Sequence, residues 1–123
     1  MSIINFECDY TEGAHPRILE RLIATNLEQT SGYGNDPYCA AAREKIKAAC
    51  GTPDADVHFL VGGTQTNTTV LSAILRPYQG AISADEGHIA VHETGAIEAT
   101  GHKVLTLPCA NGKITAAQID ARD

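Results

Sequence analysis

A glycine pair followed by hydroxyl residues is the part of the sequence best suited to chemistry. Gly62-Gly63-Thr64 lies where an apolar stretch, residues 57–61, gives way to a helical pattern. Glycine lets an anion approach the backbone, and the start of a helix offers unpaired N–H groups and a positive dipole end. Thr64 and Thr66 could add hydroxyl donors. The segment therefore predicts a phosphate-binding turn.

A tight strand-to-helix corner that binds nothing is the other interpretation of this segment. A Walker loop needs a lysine after its last glycine, and a dinucleotide fingerprint needs G-x-G-x-x-G. The sequence has neither pattern at Gly62 and Gly63. Taken alone, the segment leaves both interpretations open.

Helical and strand patterns alternate along the chain and predict an α/β fold. Alternation of this kind favours a mostly parallel sheet covered by helices, with ligands bound beyond the carboxyl ends of the strands. Glu86, Gly87 and His88 directly follow the carboxyl end of the strand predicted over residues 81–85. In chain order we expect helix 16–29, helix 37–50 with Asp36 and Gly51 at its ends, strand 57–61, helix 66–75, strand 81–85, helix 89–99 and strand 103–107.

The predicted sheet is small, and a further helix is expected to begin close to the last residue. Three strands fall short of the usual ~5 to 6. Thr115 and Gln118 have the spacing of a capping box, which marks a helix start. We therefore expect the sequence to be a fragment of a larger protein.

Composition points to an ordinary globular protein that handles small molecules. The 123 residues are 43% hydrophobic and carry a net charge of −6 without a basic cluster, which argues against a nucleic-acid or anionic-membrane surface. No apolar run approaches the ~18 residues of a membrane span, and no export signal is recognisable. The four cysteines form no Cys-x-x-Cys pair, as expected of free thiols in the cytoplasm.

Four short segments, in order, resemble the N-terminal part of the L-threonine aldolases, which belong with the beta-eliminating lyases among the fold type I pyridoxal phosphate (PLP) enzymes. The segments are residues 6–10 (FECDY), 32–36 (GYGND), 63–67 (GTQTN), and 87–89 (GHI) with 93–96 (ETGA). The resemblance implies that residues 1–123 are the N-terminal portion of a large PLP-binding domain.

The resemblance also implies roles for particular residues. Gly63, Thr64 and Gln65 match residues that hold the PLP phosphate, and His88 matches a histidine that stacks on the pyridine ring and influences proton movement. Tyr33 lies in a loop that lines the active-site mouth near the subunit interface. Cys8 takes the place of a serine that helps to hold the substrate carboxylate, although a thiol donates weakly. Asp9 would cap or brace this segment.

The implied activity is PLP-dependent retro-aldol cleavage of a β-hydroxy-α-amino acid such as threonine, which yields glycine and acetaldehyde. The family's Schiff-base lysine and pyridine-pairing aspartate lie downstream, so the 123 residues alone should be inactive. None of the four lysines is at that position: Lys45, Lys47, Lys103 and Lys113. The complete protein should be a homodimer or homotetramer. A β-eliminating lyase and an inactive binding or assembly module are the alternatives.

His88 and His92 lie four residues apart on a predicted helix, with Glu86 and Glu93 nearby. That spacing allows a shared face and a metal site. The zinc-protease motif His-Glu-x-x-His is not met, because Ile89 follows His88. We therefore predict no metal.

Overall fold

The computed structural model describes residues 5–8 and 10–121. Asp9, in the first of the four segments, lies outside the described residues. The chain divides into two compact units, Met1–Val57 and His58–Asp123. The first unit contains helices α1 (Pro16–Thr25) and α2 (Pro37–Cys50).

α1 is shorter than the sequence predicts. It ends at Thr25, whereas the prediction placed its end at Gln29. Thr25 Oγ1 donates to the Arg21 carbonyl, and the Asn26 N–H bonds to Ile23 in a tighter last turn. Threonine and asparagine side chains compete with the backbone for such bonds and disfavour continued helix. The predicted C-terminal boundary is wrong for this reason.

α2 has the predicted boundaries. The Asp36 carboxylate accepts a hydrogen bond from the Cys39 N–H at 2.8 Å, which caps the helix start. Gly51 ends the helix with φ 65°, a left-handed conformation that glycine adopts without a Cβ penalty. The Tyr38 hydroxyl donates to the Glu28 carboxylate and connects α2 to the segment after α1.

The second unit is an α/β arrangement, which confirms the predicted fold class. A parallel two-stranded sheet pairs Ala81 with Val104 and Ala84 with Leu107. Ile97, Val104 and Leu107 form the buried apolar core of the described residues. The elements in chain order are α3 (Gly63–Ile74), β1 (Ala81–Ala84), α4 (His88–Val91), a 3₁₀ turn (Glu98–Thr100), β2 (Val104–Leu107) and α5 (Ala116–Asp120).

The helix cap predicted near the C-terminus is confirmed, and a turn precedes it. Asn111 and Gly112 adopt φ values of 53° and 71° in a turn. The Thr115 hydroxyl accepts from the Gln118 N–H, and the Gln118 side chain accepts from the Thr115 N–H. This reciprocal capping box begins α5.

The strand predicted over residues 57–61 is wrong. In the described part of the chain, β1 and β2 pair only with each other, and residues 57–61 form no ladder. Instead, backbone groups at both ends of the segment form hydrogen bonds with side chains. Arg43 Nε donates to the Val57 carbonyl, and the Val61 N–H donates to the Gln65 side chain. Val61 is 95% exposed. The apolar composition of this segment predicted that it would be buried, and it is not.

The helix predicted over residues 89–99 is also wrong. α4 ends at Val91, and a 3₁₀ turn follows only from Glu98. Thr94 and Gly95 have φ values of 54° and 74°, in the left-handed region, which a right-handed helix cannot include. The break leaves Glu93 in a turn rather than on a helix face.

None of the helices within residues 5–8 and 10–121 is long and apolar enough to cross a membrane.

Candidate functional site

The predicted phosphate turn is the first turn of α3. The prediction began this helix at Thr66, but it begins at Gly63, with Gly62 extended before it. The earliest internal hydrogen bond joins the Thr66 N–H to the Gly62 carbonyl at 3.0 Å. The N–H groups of Gly63, Thr64 and Gln65 have no partner among the described residues, as expected for the first turn.

The space in front of these N–H groups is open. Gly63, Thr64 and Gln65 are exposed. A Cβ built on either Gly62 or Gly63 would meet no atom within 4 Å apart from those of its chain neighbours and of its own helical turn. The three N–H groups and the helix dipole therefore face a space that an anion can enter.

Two side chains hold this turn in shape. Gln65 Oε1 accepts from the Val61 N–H at 2.8 Å, so its amide folds back on the segment before the helix. The Thr66 hydroxyl donates to the Gly62 carbonyl at 2.9 Å. The Thr64 hydroxyl has no partner among the described residues. Of the predicted set, Thr64 thus has a free side-chain donor, whereas Gln65 offers its backbone N–H.

His88 begins α4 just beyond the carboxyl end of β1. Gly87 before it is a packing requirement, because a Cβ there would lie 2.1 Å from Ser83 Oγ and 2.9 Å from the Ala84 carbonyl. Only glycine lets the chain pass so close to the end of β1. This close passage sets where the His88 backbone emerges from the sheet.

The His88 ring is tied to a buried carboxylate. His88 Nδ1 lies 2.7 Å from Glu93 Oε1, and the side-chain exposures of the two residues are 65% and 0%. The same oxygen accepts a hydrogen bond from Asn67 Nδ2 of α3 at 2.6 Å. Asn67 lies one helical turn after Gly63, so this network connects the helix that carries the open turn with the helix that carries His88.

Glu93 Oε2 is buried and has no hydrogen-bond partner among the described residues. A buried unsatisfied acceptor costs about 1–3 kcal/mol, and more when it is charged. Most buried polar groups in proteins are hydrogen-bonded, so this oxygen makes the network a candidate part of a site.

His92 lies beside this network but adds no metal site. The His88 and His92 rings are 5.3 Å apart between centroids and tilted by 50°. Within the described residues, no group of three or more His, Cys, Asp or Glu side chains could hold a metal ion.

A second acidic residue, Asp85, forms hydrogen bonds at the carboxyl ends of β1 and β2. Asp85 Oδ1 accepts from the Cys109 N–H at 3.0 Å, and the Asp85 N–H donates to the Leu107 carbonyl. Hydrogen bonds from Cys109 hold the pKa of Asp85 below its usual value of 3.8. The hydrogen bond to Asp85 raises the pKa of the Cys109 thiol, and desolvation raises it further by a smaller amount.

Cys8 and Tyr33, predicted to contact substrate, belong to the first unit. Cys8 is half-buried and a free thiol. Tyr33 is fully exposed at 103% and adopts φ 60°, a left-handed conformation uncommon for a bulky residue. Their roles stay predictions.

The family model described as beta-eliminating lyase matches residues 5–122. The chain belongs to this family. Two low-specificity L-threonine aldolases, from Pseudomonas sp. (strain NCIMB 10558) and Pseudomonas aeruginosa, are 30% and 29% identical to it over 116 residues. A solved structure of threonine aldolase from Leishmania major is 51% identical, with a TM-score of 0.87 over 92% of the chain.

These comparisons confirm the family resemblance and the fold type I class expected from the four segments. The Pseudomonas matches include 93% of this chain but only 33% of each Pseudomonas protein. The structural match includes 33% of the Leishmania chain. This chain therefore spans about a third of each relative. As a member of the beta-eliminating lyases, it is related to lyases.

Sequence reasoning missed the connection between Asn67 and Glu93. Both residues lie inside segments that carried the resemblance, but neither was given a role there. The sequence did offer one signal, the glycine at position 95. Glycine favours a left-handed turn that ends a helix, so Gly95 indicated that Glu93 lies near a helix end. Burial of the carboxylate is a tertiary property that this local pattern does not contain.

Proposed function

We propose that the complete protein to which this chain belongs is a PLP-dependent aldehyde-lyase that cleaves threonine or allo-threonine to glycine and acetaldehyde. The chain belongs to the beta-eliminating lyases, and its relatives are named threonine aldolases. We infer the reaction from those names. In this proposal, residues 1–123 are the N-terminal part of the large PLP-binding domain.

The observation that carries the proposal is the open first turn of α3. Three unpaired backbone N–H groups, at Gly63, Thr64 and Gln65, face free space at the positive end of a 12-residue helix. A phosphate dianion suits this donor set, because backbone N–H groups and a threonine hydroxyl bind its oxygens while the dipole favours its charge. The residues present therefore fit the phosphate of PLP.

His88 would lie against the face of the pyridine ring. Its side chain is mostly exposed, and Glu93 holds the ring from one edge, so a ring face is free for stacking. When bound, PLP supplies the electron sink for the electron pair released as the Cα–Cβ bond breaks. The chain's own residues bind the phosphate, orient the ring and hold a proton on His88 Nδ1.

On the substrate side, we propose that Tyr33 lines the entrance and that Cys8 contacts the substrate carboxylate. The Tyr33 side chain is free to contact a substrate because it is fully exposed. A cysteine thiol is a weak hydrogen-bond donor, so the Cys8 contact should be weaker than one from a hydroxyl. The Schiff-base lysine would come from outside residues 1–123, and the complete protein would be a homodimer or homotetramer.

The experiment compares PLP with pyridoxal, which lacks the phosphate, as ligands of the complete protein. Gly63→Pro removes one N–H donor at the first helical position, where proline is tolerated and the extended Gly62 before it is compatible. We expect this variant to weaken PLP binding about 10-fold, as loss of a hydrogen bond to a charged group does, and to leave pyridoxal binding unchanged.

Thr69→Ala is the matched control on the same helix, because Thr69 is an exposed residue away from the first turn. It should change neither affinity. Equal losses for PLP and pyridoxal in Gly63→Pro, or no loss for either, would exclude a phosphate site at this turn.

β-Elimination is the second candidate, and the description of the matching family model favours it. The products separate the two reactions. Retro-aldol cleavage of threonine releases glycine and acetaldehyde, whereas β-elimination followed by hydrolysis releases ammonia and a keto acid. An inactive binding or assembly module would release none of these.

A further inference from the structure

We propose that Glu93 and Asn67 are positioning residues that fix His88 in the tautomer with its proton on Nδ1, so that Nε2 is presented as an acceptor. The role of the acceptor in catalysis rests on the proposed PLP site, but the tautomer itself does not.

The chemistry of the partners assigns the proton. A neutral imidazole has one N–H and one lone pair, and an ionised carboxylate only accepts hydrogen bonds. Glu93 Oε1 lies 2.7 Å from Nδ1, so Nδ1 is the donor and the lone pair is on Nε2, at the other edge of the ring. The partner of one ring nitrogen sets the chemistry of the other.

Asn67 fixes the carboxylate that fixes the ring. Its Nδ2 donates to the same Oε1 at 2.6 Å, from the opposite element of the network, α3. The Glu93 side chain is fully buried, so it cannot exchange these partners for solvent. Oε2 makes no hydrogen bond within the described residues, which leaves the contacts at Oε1 to determine the carboxylate position.

The backbone holds Glu93 at this point. Thr94 and Gly95 turn the chain with φ values of 54° and 74° directly after Glu93. A continued helix would have placed residue 93 elsewhere around the helix axis. Because α4 ends at Val91 and this left-handed pair stops the helix from resuming, Glu93 lies outside a helix, where its carboxylate reaches the first residue of α4, His88.

A purely structural role is the competing explanation, in which Asn67 and Glu93 join α3 to α4 and the His88 tautomer is incidental. The two explanations differ in what they predict for the ring nitrogens. The readout is therefore the ¹⁵N chemical shifts of His88 in protein with labelled histidine, measured without cofactor at a pH where the imidazole is neutral. A His88→Gln spectrum assigns the signals.

We expect the unaltered protein to show a protonated Nδ1 and an unprotonated Nε2. Glu93→Gln should populate both tautomers, because an amide can donate to Nδ1 as well as accept from it. Asn67→Ala should also produce a mixture, because Oε1 loses its second contact. Glu98→Gln is the control: this exposed glutamate in the following 3₁₀ turn undergoes the same chemical change and should leave Nδ1 protonated.

A protonated Nε2 in the unaltered protein would overturn the proposal without any variant, so the test does not depend on whether Glu93→Gln folds. An unchanged tautomer in Glu93→Gln would also overturn it, and an unchanged one in Asn67→Ala would remove Asn67 from it. Failure of the phosphate site is detected separately, by the comparison of PLP with pyridoxal in Gly63→Pro.

Discussion

His88 Nδ1 lies 2.7 Å from Glu93 Oε1, and this contact joins a mostly exposed imidazole to a fully buried carboxylate. The exposed ring is free to meet a ligand while the buried partner fixes its orientation. Asn67 completes the arrangement, so a hydrogen-bonded network joins α3, the helix that carries the open first turn, to the histidine of α4.

The first prediction concerns the stability of this network. Asn67→Ala removes a hydrogen bond to a buried carboxylate, and we expect the free energy of unfolding to fall by about 1.5–3 kcal/mol. Thr69→Ala on the same helix is exposed and should change it by no more than about 0.5 kcal/mol. Urea unfolding measures both. Equal effects of the two substitutions would show that the Asn67 bond contributes nothing.

The second prediction separates ring stacking from proton handling at His88. His88→Phe keeps an aromatic face but has no ring nitrogen, whereas His88→Ala loses both. We expect His88→Ala to weaken PLP binding about 3- to 10-fold and His88→Phe to retain it, since an aromatic contact contributes about 0.5–1.5 kcal/mol. Turnover of threonine should fall about 10²- to 10⁴-fold in both variants, as for loss of a proton-transfer group.

Cofactor titration and acetaldehyde release in the complete protein measure these two effects. Full turnover in His88→Phe would mean that Nε2 handles no proton. Equal loss of PLP in both variants would argue against stacking.

Local chemistry made several of these elements predictable. Asp36 with Pro37 and Gly51 fixed both ends of α2, because capping and left-handed glycine are properties of the residues themselves. The Gly62-Gly63 pair indicated the open turn for the same reason. β1 and β2 followed from short apolar runs bounded by turn residues.

What could not be predicted depends on tertiary contacts. Residues 57–61 have the composition of a buried strand, but strand formation requires a neighbouring strand, and Val57 and Val61 bond to Arg43 and Gln65 side chains instead. The buried Glu93 carboxylate accepts a hydrogen bond from Asn67, which lies 26 residues earlier in the chain. Neither fact is contained in a local sequence window.

The third prediction concerns thiol reactivity. Hydrogen bonds to Asp36 and Asp85 raise the pKa of the Cys39 and Cys109 thiols, respectively, and the thiolate is the reactive form. We expect both to react with iodoacetamide more slowly than the exposed Cys50. Peptide mass spectrometry over a time course at about pH 8, below the ordinary Cys pKa of ≈ 8.5, measures the rates.

Each aspartate provides the control for the other in this experiment. Asp85→Asn should accelerate labelling of Cys109 and leave Cys39 unchanged. Asp36→Asn should do the reverse, and asparagine still caps α2. Acceleration of both thiols by one substitution would indicate general loosening rather than loss of a local hydrogen bond.

The fourth prediction concerns the acid side of stability. Hydrogen bonds from Cys109 lower the pKa of Asp85 in the folded protein, so its carboxylate contributes stability above the unfolded pKa of about 3.9. That contribution is lost as the pH falls through the lower folded value. We expect Asp85→Asn to be less stable than the unaltered protein at neutral pH, and the difference to shrink below about pH 4.

Unfolding free energies across this pH range measure the difference. Asp54→Asn, in an exposed turn, controls for the loss of a surface carboxylate elsewhere in the chain. A difference for Asp85→Asn that stays constant across the pH range would show that the Asp85 carboxylate is not linked to folding.

The fifth prediction tests the left-handed turn that follows Glu93. Thr94 holds φ 54°, where a β-branched residue is strained by about 1–2 kcal/mol and asparagine is much better tolerated. Thr94→Asn should therefore raise the free energy of unfolding by about 1 kcal/mol, because it keeps the turn and removes the strain. Thr69→Asn within α3 has no such strain to relieve and should give no gain. If Thr94→Asn lowers the stability, the threonine side chain makes a contact that outweighs its backbone strain, and the turn is held by packing rather than by Gly95 alone.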